Sequence, residues 1–398
     1  MMHLLVNALA VSAGGGLTYI RNLVPQLAGR LDLRVTIVTT PAVKDELDRY
    51  GNIEFVQLDI PPARRFWYER AKLPGLIRNS GANVLLSTGN FALRKSPVPQ
   101  ILLSRNSIYL SDDFYRDLWR RGEYRMWFDT HFRAILAKRS IGWADVTVAP
   151  SQAFADELQR WTSRSIVAIH HGFDLASFTA DNTPLSWEVE RKLRATEGSL
   201  RLLFVSHYNY YRNFETLIRS LPLLRDRIPN RSIRLLLTCN LRAGENPGSY
   251  RPKEAANLIK KMDVSELVIE LGSIPYQQLH QLYGQTDLYI TPAYTETFAH
   301  PLVEAMASGV PVVASDLAVH REICGDAAAY FPKFSPEILA ETIVQVALSP
   351  ERMRNMSASG LRRSQQFSWA AHVESILTLS RTLVSGRSSA IAHTAVEG

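Results

Sequence analysis

Two glutamates eight residues apart, Glu296 and Glu304, stand in the segment TPAYTETFAHPLVEAMASGVPVVAS from Thr291 to Ser315. A carboxylate accepts two hydrogen bonds from hydroxyls, and Pro301 occupies a favoured first position of a helix whose amide end suits an anion. Glu296 in the loop and Glu304 on the helix are thus placed to hold two parts of one elongated ligand. For an arbitrary pair of glutamates, a solvated loop residue and an ordinary helix residue would be the simpler reading. A second cluster lies in FVSHYNYYRNFETLI, where a strand ends at Ser206 and a helix begins near Asn213. The loop between them carries Arg212, a permanent cation, and His207, partly charged near neutrality. A third candidate is Gly14-Gly15-Gly16, which either exposes its amides to a phosphate or an acceptor or simply turns the chain.

These residues sit on strand-to-helix loops. Short apolar runs alternate with helical patterns along the chain: LLVNAL, RVTIVT, NVLLST, QILLS, DVTVAP and SIVAIHHG in the first half, then RLLFVS, SIRLLLT, LVIELGS, DLYITPA and VPVVAS. Such β/α repetition implies parallel sheets, in two doubly wound Rossmann-like domains. We expect a first domain over 1–178, a linker over 179–198 and a second domain over 199–368. A C-terminal helix over 369–385 is expected to pack back toward the first domain, with a flexible tail at 386–398. The stretch Met1 to Ala13 lacks the basic start of a signal peptide and reads as a buried strand. Ligands of open parallel sheets bind at the C-terminal strand ends, here expected to be a cleft where the two domains face each other.

Composition narrows the classes further. At 398 residues, 46% hydrophobic and 21% charged, the chain is an ordinary globular protein with room for two cores. The two cysteines, Cys239 and Cys324, are far apart and show no metal-binding spacing, so a reducing cytoplasm is the expected location. No apolar run is long enough to span a bilayer. The formal charge of +7 suggests anionic company. No zinc-finger, RNP or helix-turn-helix signature is present, so nucleic acid is not expected as a partner.

The Glu-bearing segment resembles the Glu-x7-Glu region of the family 4 glycosyltransferases, which have the GT-B fold. The resemblance extends to Gly14–Gly16, to HHGFDLASF at 170–178, to FVSHYNYYRNFETLI and to LGSIPYQQLHQLYGQTDLYITPA. It implies transfer of a sugar from a nucleotide diphosphate sugar to an acceptor hydroxyl, with retention of anomeric configuration, in polysaccharide, lipopolysaccharide or other glycoconjugate synthesis. By the same resemblance, Glu304 would hold the ribose hydroxyls. Glu296 and the backbone around Thr297, Phe298, Ala299 and His300 would hold the sugar and phosphates. Arg212 would neutralise the departing diphosphate, with His207, Gly15 and Gly16 nearby as donor-binding candidates. Catalysis falls to Arg212 and Glu296, and no metal or other cofactor is expected.

Four departures from the family pattern stand out. Thr297 and Ala299 fill positions that are usually glycine. Ser206-His207 replaces a Gly-Arg pair, and Arg212 replaces a lysine. Arg105 and Asn106, in ILLSRNSIYL, stand where a reaction-centre histidine is usual, which makes them candidates for the acceptor or reaction centre and leaves no general base identified. His131 reads as a packing or surface residue. The acceptor is expected to be a saccharide or lipid-linked. A nucleotide-sugar epimerase, a phosphorylase and a catalytically silent nucleotide- or carbohydrate-binding module remain open on the same fold.

The stretch from Phe114 to Arg139 interleaves arginine with Trp, Tyr and Phe, and ARRFWYERAK at 63–72 is similar. Two readings of the longer stretch stand side by side. It is either an interfacial helix on an anionic membrane, making the protein peripheral at the inner face, or a domain helix with Trp119, Met126 and Ile135 packed inward.

Overall fold

Continuous apolar runs form most strands, because a parallel strand covered by helices on both faces has no polar side to show. The structure, a computed structural model, describes residues 1–11 and 14–396. In one sheet the strands are β1 (Met2–Asn7), β2 (Leu33–Thr39), β3 (Glu54–Gln57), β4 (Val84–Ser87), β5 (Gln100–Leu103), β6 (Val146–Ala149) and β7 (Ile166–Ala168). Their order is β3-β2-β1-β4-β5-β6-β7, all parallel, with Leu4 opposite both Val35 and Val84. A second sheet holds β8 (Leu200–Phe204), β9 (Ile233–Leu237), β10 (Val268–Glu270), β11 (Leu288–Thr291), β12 (Val312–Ser315) and β13 (Ala328–Phe331). Its order is β10-β9-β8-β11-β12-β13, again all parallel. Strand order reverses between β1 and β4 in the first sheet and between β8 and β11 in the second. Loops leaving the strand ends diverge at such a switch point and open a crevice for ligand.

The chain divides into two compact units. The first comprises Met1–Leu110, Tyr124–Gly172 and Ser368–Gly398, and the second comprises Ser111–Glu123 and Phe173–Phe367. The first unit thus closes at Gly172 rather than at 178. A Cβ on Gly172 would lie 2.0 Å from the Trp369 nitrogen, so the backbones touch where only glycine fits. The stretch 179–198 belongs to the second unit, where the helix Trp187–Arg194 buries Val189 and Leu193.

The helix Trp369–Val396 seals the first unit, its Trp369, Val373, Ile376 and Leu377 joining Leu4, Ile20, Leu23 and Val24 in one core. Each such aliphatic side chain, fully buried, contributes roughly 1.5–3 kcal/mol. Helical backbone continues to Val396 through most of the expected tail, as alanines at 390, 392 and 395 favour. The final two residues of that tail lie outside the described residues.

The basic-aromatic stretch is two helices, Asp112–Arg120 in the second unit and Tyr124–Trp143 in the first. Gly122, at φ 68°, ends the first of them by taking the left-handed conformation that a side chain resists. Of the three side chains that the packing alternative turned inward, Trp119 is 58% and Ile135 40% exposed, while Met126 is half-buried. Among the described residues no helix is long and apolar enough to cross a membrane.

Candidate functional site

The switch point of the second sheet is built by the loops after β8 and β11. After β8 the chain runs through His207 to a short 3-10 turn, Tyr210–Arg212, which Asn209 caps by accepting the Arg212 amide at 3.0 Å. Asn213 follows in the left-handed region, at φ 57°. Its side-chain amide donates to the Pro292 carbonyl at 3.0 Å, and the Tyr294 backbone amide donates to the Tyr211 carbonyl at 3.0 Å. These two bonds tie the loops together and bring Arg212 against Glu296, to which its guanidinium donates. Side-chain exposure is 20% for Arg212 and 11% for Glu296, so water screens the pair little.

Burial opposes the charge on Arg212, but Glu296 and the nearby Tyr211 and Tyr289 outweigh it and hold the guanidinium protonated above its ordinary range. Its Nε is buried without a partner, so the cation retains a donor. The other oxygen of Glu296 accepts the Thr297 amide at 3.0 Å. His207 reaches solvent, and partial desolvation followed by the charge of Arg212 pushes its pKa down. It is therefore a neutral neighbour of the pair rather than a second cation.

Glu304 lies on the helix His300–Ala307 that leaves the β11 loop, only 3% exposed. It accepts the Tyr283 hydroxyl at 3.0 Å. Burial raises its pKa to about 7, against the opposing pull of Tyr283. A buried carboxyl with a single hydroxyl donor keeps acceptor capacity for further hydroxyls. Ahead of this helix, Ala299 sits at φ 61°, a conformation in which glycine would be unstrained. The Phe298 ring is 1% exposed and packs on Phe367 and His300, so this residue has only its backbone to offer a ligand.

Sequence reasoning missed two contributors. His320, 0% exposed, is placed by its Nδ1, which donates to the Ser315 carbonyl at 2.8 Å at the end of β12. Ser315 in turn donates to the Ala293 carbonyl in the β11 loop. Burial lowers the His320 pKa to about 4, and its Nε2 has no partner, leaving a neutral imidazole with an unused acceptor. Nothing but a histidine soon after a strand end marked it. The second contributor is Arg121, which binds Asp117, Glu215 and Glu254 at 2.9, 3.0 and 2.6 Å and lies 4.2 Å from the centre of the Tyr210 ring. With Tyr294 donating to Asp117 at 3.0 Å and Tyr210 to Glu123 at 2.7 Å, it fastens Ser111–Glu123 onto both site loops. Its carboxylate partners are scattered along the sequence, and spacing could not pair them.

The remaining candidates cluster in the first unit. Arg105 donates to the carbonyls of Gly15 at 3.0 Å and Thr88 at 2.8 Å and lies 4.9 Å from the centre of the Tyr19 ring. Burial lowers its pKa to about 10. A Cβ on Gly16 would meet the guanidinium at 3.6 Å. Arg105 thus occupies the switch point of the first sheet, beside the start of the helix Gly14–Ala28. Asn106 caps a 3-10 turn by accepting the Ile108 amide at 3.3 Å.

Two family models match the chain: Glycosyltransferase Family 4 over residues 13–177 and Glycosyl transferases group 1 over 186–363. The chain belongs to glycosyltransferase family 4. Among curated relatives of this family 4 member is the D-inositol 3-phosphate glycosyltransferase of Corynebacterium aurimucosum, 27% identical over 253 residues, which are 61% of this chain and 58% of that one. Across three Corynebacterium relatives the match spans 58%, 66% and 67% of their length. Of solved structures, sucrose-phosphate synthase from Thermosynechococcus elongatus has a TM-score of 0.75 at 18% identity, covering 97% of this chain and 100% of its own. Anabaena HepE in complex with UDP-glucose has a TM-score of 0.72 at 18% identity, covering 96% and 100%. The fold of the family 4 member is GT-B.

Proposed function

We propose that this protein transfers a sugar from a nucleotide diphosphate sugar to an acceptor hydroxyl, with retention, in the synthesis of a polysaccharide, lipopolysaccharide or other glycoconjugate. The observation that carries this reading is the Arg212–Glu296 pair at the second sheet's switch point, with the buried carboxyl of Glu304 on the helix that follows. Glu304 receives ribose hydroxyls of the donor, and Glu296 receives a sugar hydroxyl. Arg212 and the amides at the start of His300–Ala307 meet the diphosphate. As the bond from the anomeric carbon to the diphosphate oxygen breaks, negative charge grows on that oxygen and Arg212 stabilises it. The acceptor oxygen bonds the anomeric carbon on the same face, and its proton passes to the departing phosphate, the strongest base adjacent to it. In the first unit, Arg105 with Gly15 and Gly16 is assigned to ligand contact at that unit's switch point.

The test is a panel of nucleotide sugars incubated with the protein and with saccharide, lipid-linked and phosphorylated polyol acceptors. UDP-glucose leads the panel because HepE is solved with it, and the polyol is included because of the relatives' names. Acceptor-dependent release of nucleotide diphosphate with a new glycoside supports transfer. An isomerised donor, a sugar phosphate formed from inorganic phosphate, or binding without turnover would each replace this reading with another.

A further inference from the structure

Two helices of the first unit show large apolar side chains to solvent. In Tyr124–Trp143 the buried residues are Thr130, Ala134, Ala137, Ser140 and Ile141. Phe128 is 65% exposed, Phe132 62% and Ile135 40%, with Tyr124 at 50%. From Tyr124 these fall at i, i+4, i+8 and i+11, one stripe along the helix. A surface helix ordinarily turns its apolar stripe to the core, so this one is inverted. The neighbouring helix Pro62–Ala71 packs Tyr68 against the core and shows Phe66, 41% exposed, and Trp67, 67% exposed, to solvent. Phe66 and Arg70 line the same small cavity as Leu136 and Trp143, so the two helices lie side by side.

Charge says what the face fits. Arg125, Arg133, Lys138 and Arg139 are exposed on the longer helix, whose one acidic residue is Asp129. Arg64, Arg65 and Arg70 stand on the shorter one, where the single acid, Glu69, accepts from Asn7 instead. Aromatic side chains ringed by long basic ones match the zone between lipid headgroups and acyl chains, the rings inserting while the cations meet phosphates.

We infer that this face of the first unit docks on an anionic bilayer, with Phe128, Phe132 and Trp67 inserted and Arg125, Lys138 and Arg139 against lipid phosphates. The inference stands whether or not the chain transfers a sugar. It is tested by cosedimentation of the full chain with vesicles of phosphatidylcholine mixed with phosphatidylglycerol, against phosphatidylcholine alone, at low and high salt. The parent protein sediments with the mixed vesicles and is released by salt. Phe128→Ser with Phe132→Ser, and separately Lys138→Glu with Arg139→Glu, each lower the partition coefficient about tenfold or more. Circular dichroism stays at parental values, since all four side chains are exposed. Failure of the parent to bind mixed vesicles, or binding indifferent to both double variants, overturns the inference. So does a dimer in the ultracentrifuge that Phe128→Ser with Phe132→Ser dissociates, because the face would then belong to a second copy of the chain.

Discussion

Arg212 is held by Glu296 and still keeps a buried, unshared Nε. In the charge-stabilising role proposed for it, Arg212 acts more on the transition state than on the bound donor. Arg212→Ala is expected to lower the maximal rate by about two to three orders of magnitude with a smaller loss of donor affinity. Arg212→Lys recovers part of that rate, because a point charge can still reach a phosphate. Steady-state kinetics at saturating donor check both. Glu304 offers a pH signature. Its pKa rises from an ordinary 4.5 to about 7 on burial, so between those values the folded state binds more proton than the unfolded chain. Stability from this source is complete below the lower value, falls as pH rises through the window and is flat above it. Glu304→Gln removes the slope and leaves the variant more stable than the parent above about pH 7 by roughly 3 kcal/mol. Urea midpoints measured across the window decide it. His320 shows why such properties stay hidden in a sequence: its neutral state and idle Nε2 come from burial beside β12.

The elements of the proposed site begin with strained or clamped turns. Ala299, left-handed at the head of His300–Ala307, carries a penalty that glycine does not. Ala299→Gly is expected to stabilise the second unit by about 1 kcal/mol, read as a higher Tm in scanning calorimetry. Arg121 clamps Ser111–Glu123 through three carboxylates. Arg121→Ala leaves those acids facing one another, and a loss of roughly 3 kcal/mol follows. Hydrogen exchange would report it as faster exchange in Ser111–Glu123, with the β1 and β2 amides unchanged. Most strands were legible, because runs such as RLLFVS and DLYITPA are buried on both faces. The edge strands β3 and β13 escaped because EFVQ and AAYF are short and half-buried. The break at Gly122 escaped because helical spacing continues on both sides of it. The Glu296 and Glu304 segment was legible because a loop, a proline-started helix and a strand follow one another without interruption. The Arg212–Glu296 contact, between residues far apart in sequence, had to wait for the fold.

At the scale of the molecule, the first unit is stitched from three stretches of chain, and its last stretch passes Gly172 with no room for a side chain. Gly172→Ala would force that backbone contact apart, at a cost of about 3 kcal/mol or more, measured as an early loss of Trp369 docking in urea. The stitching also bears on how the protein is made. Tyr19 and His372, bonded at 3.0 Å in the interior of the first unit, are 353 positions apart. A ribosome adding about 5–20 residues per second needs roughly 20 to 70 seconds to travel between them. During that interval the second unit can be completed while Leu4, Ile20 and Leu23 wait for their covering helix. The half of the chain born first is therefore the half that matures last, and a fragment ending at Gly172 is expected to be insoluble unless residues 368–396 are supplied as a separate peptide.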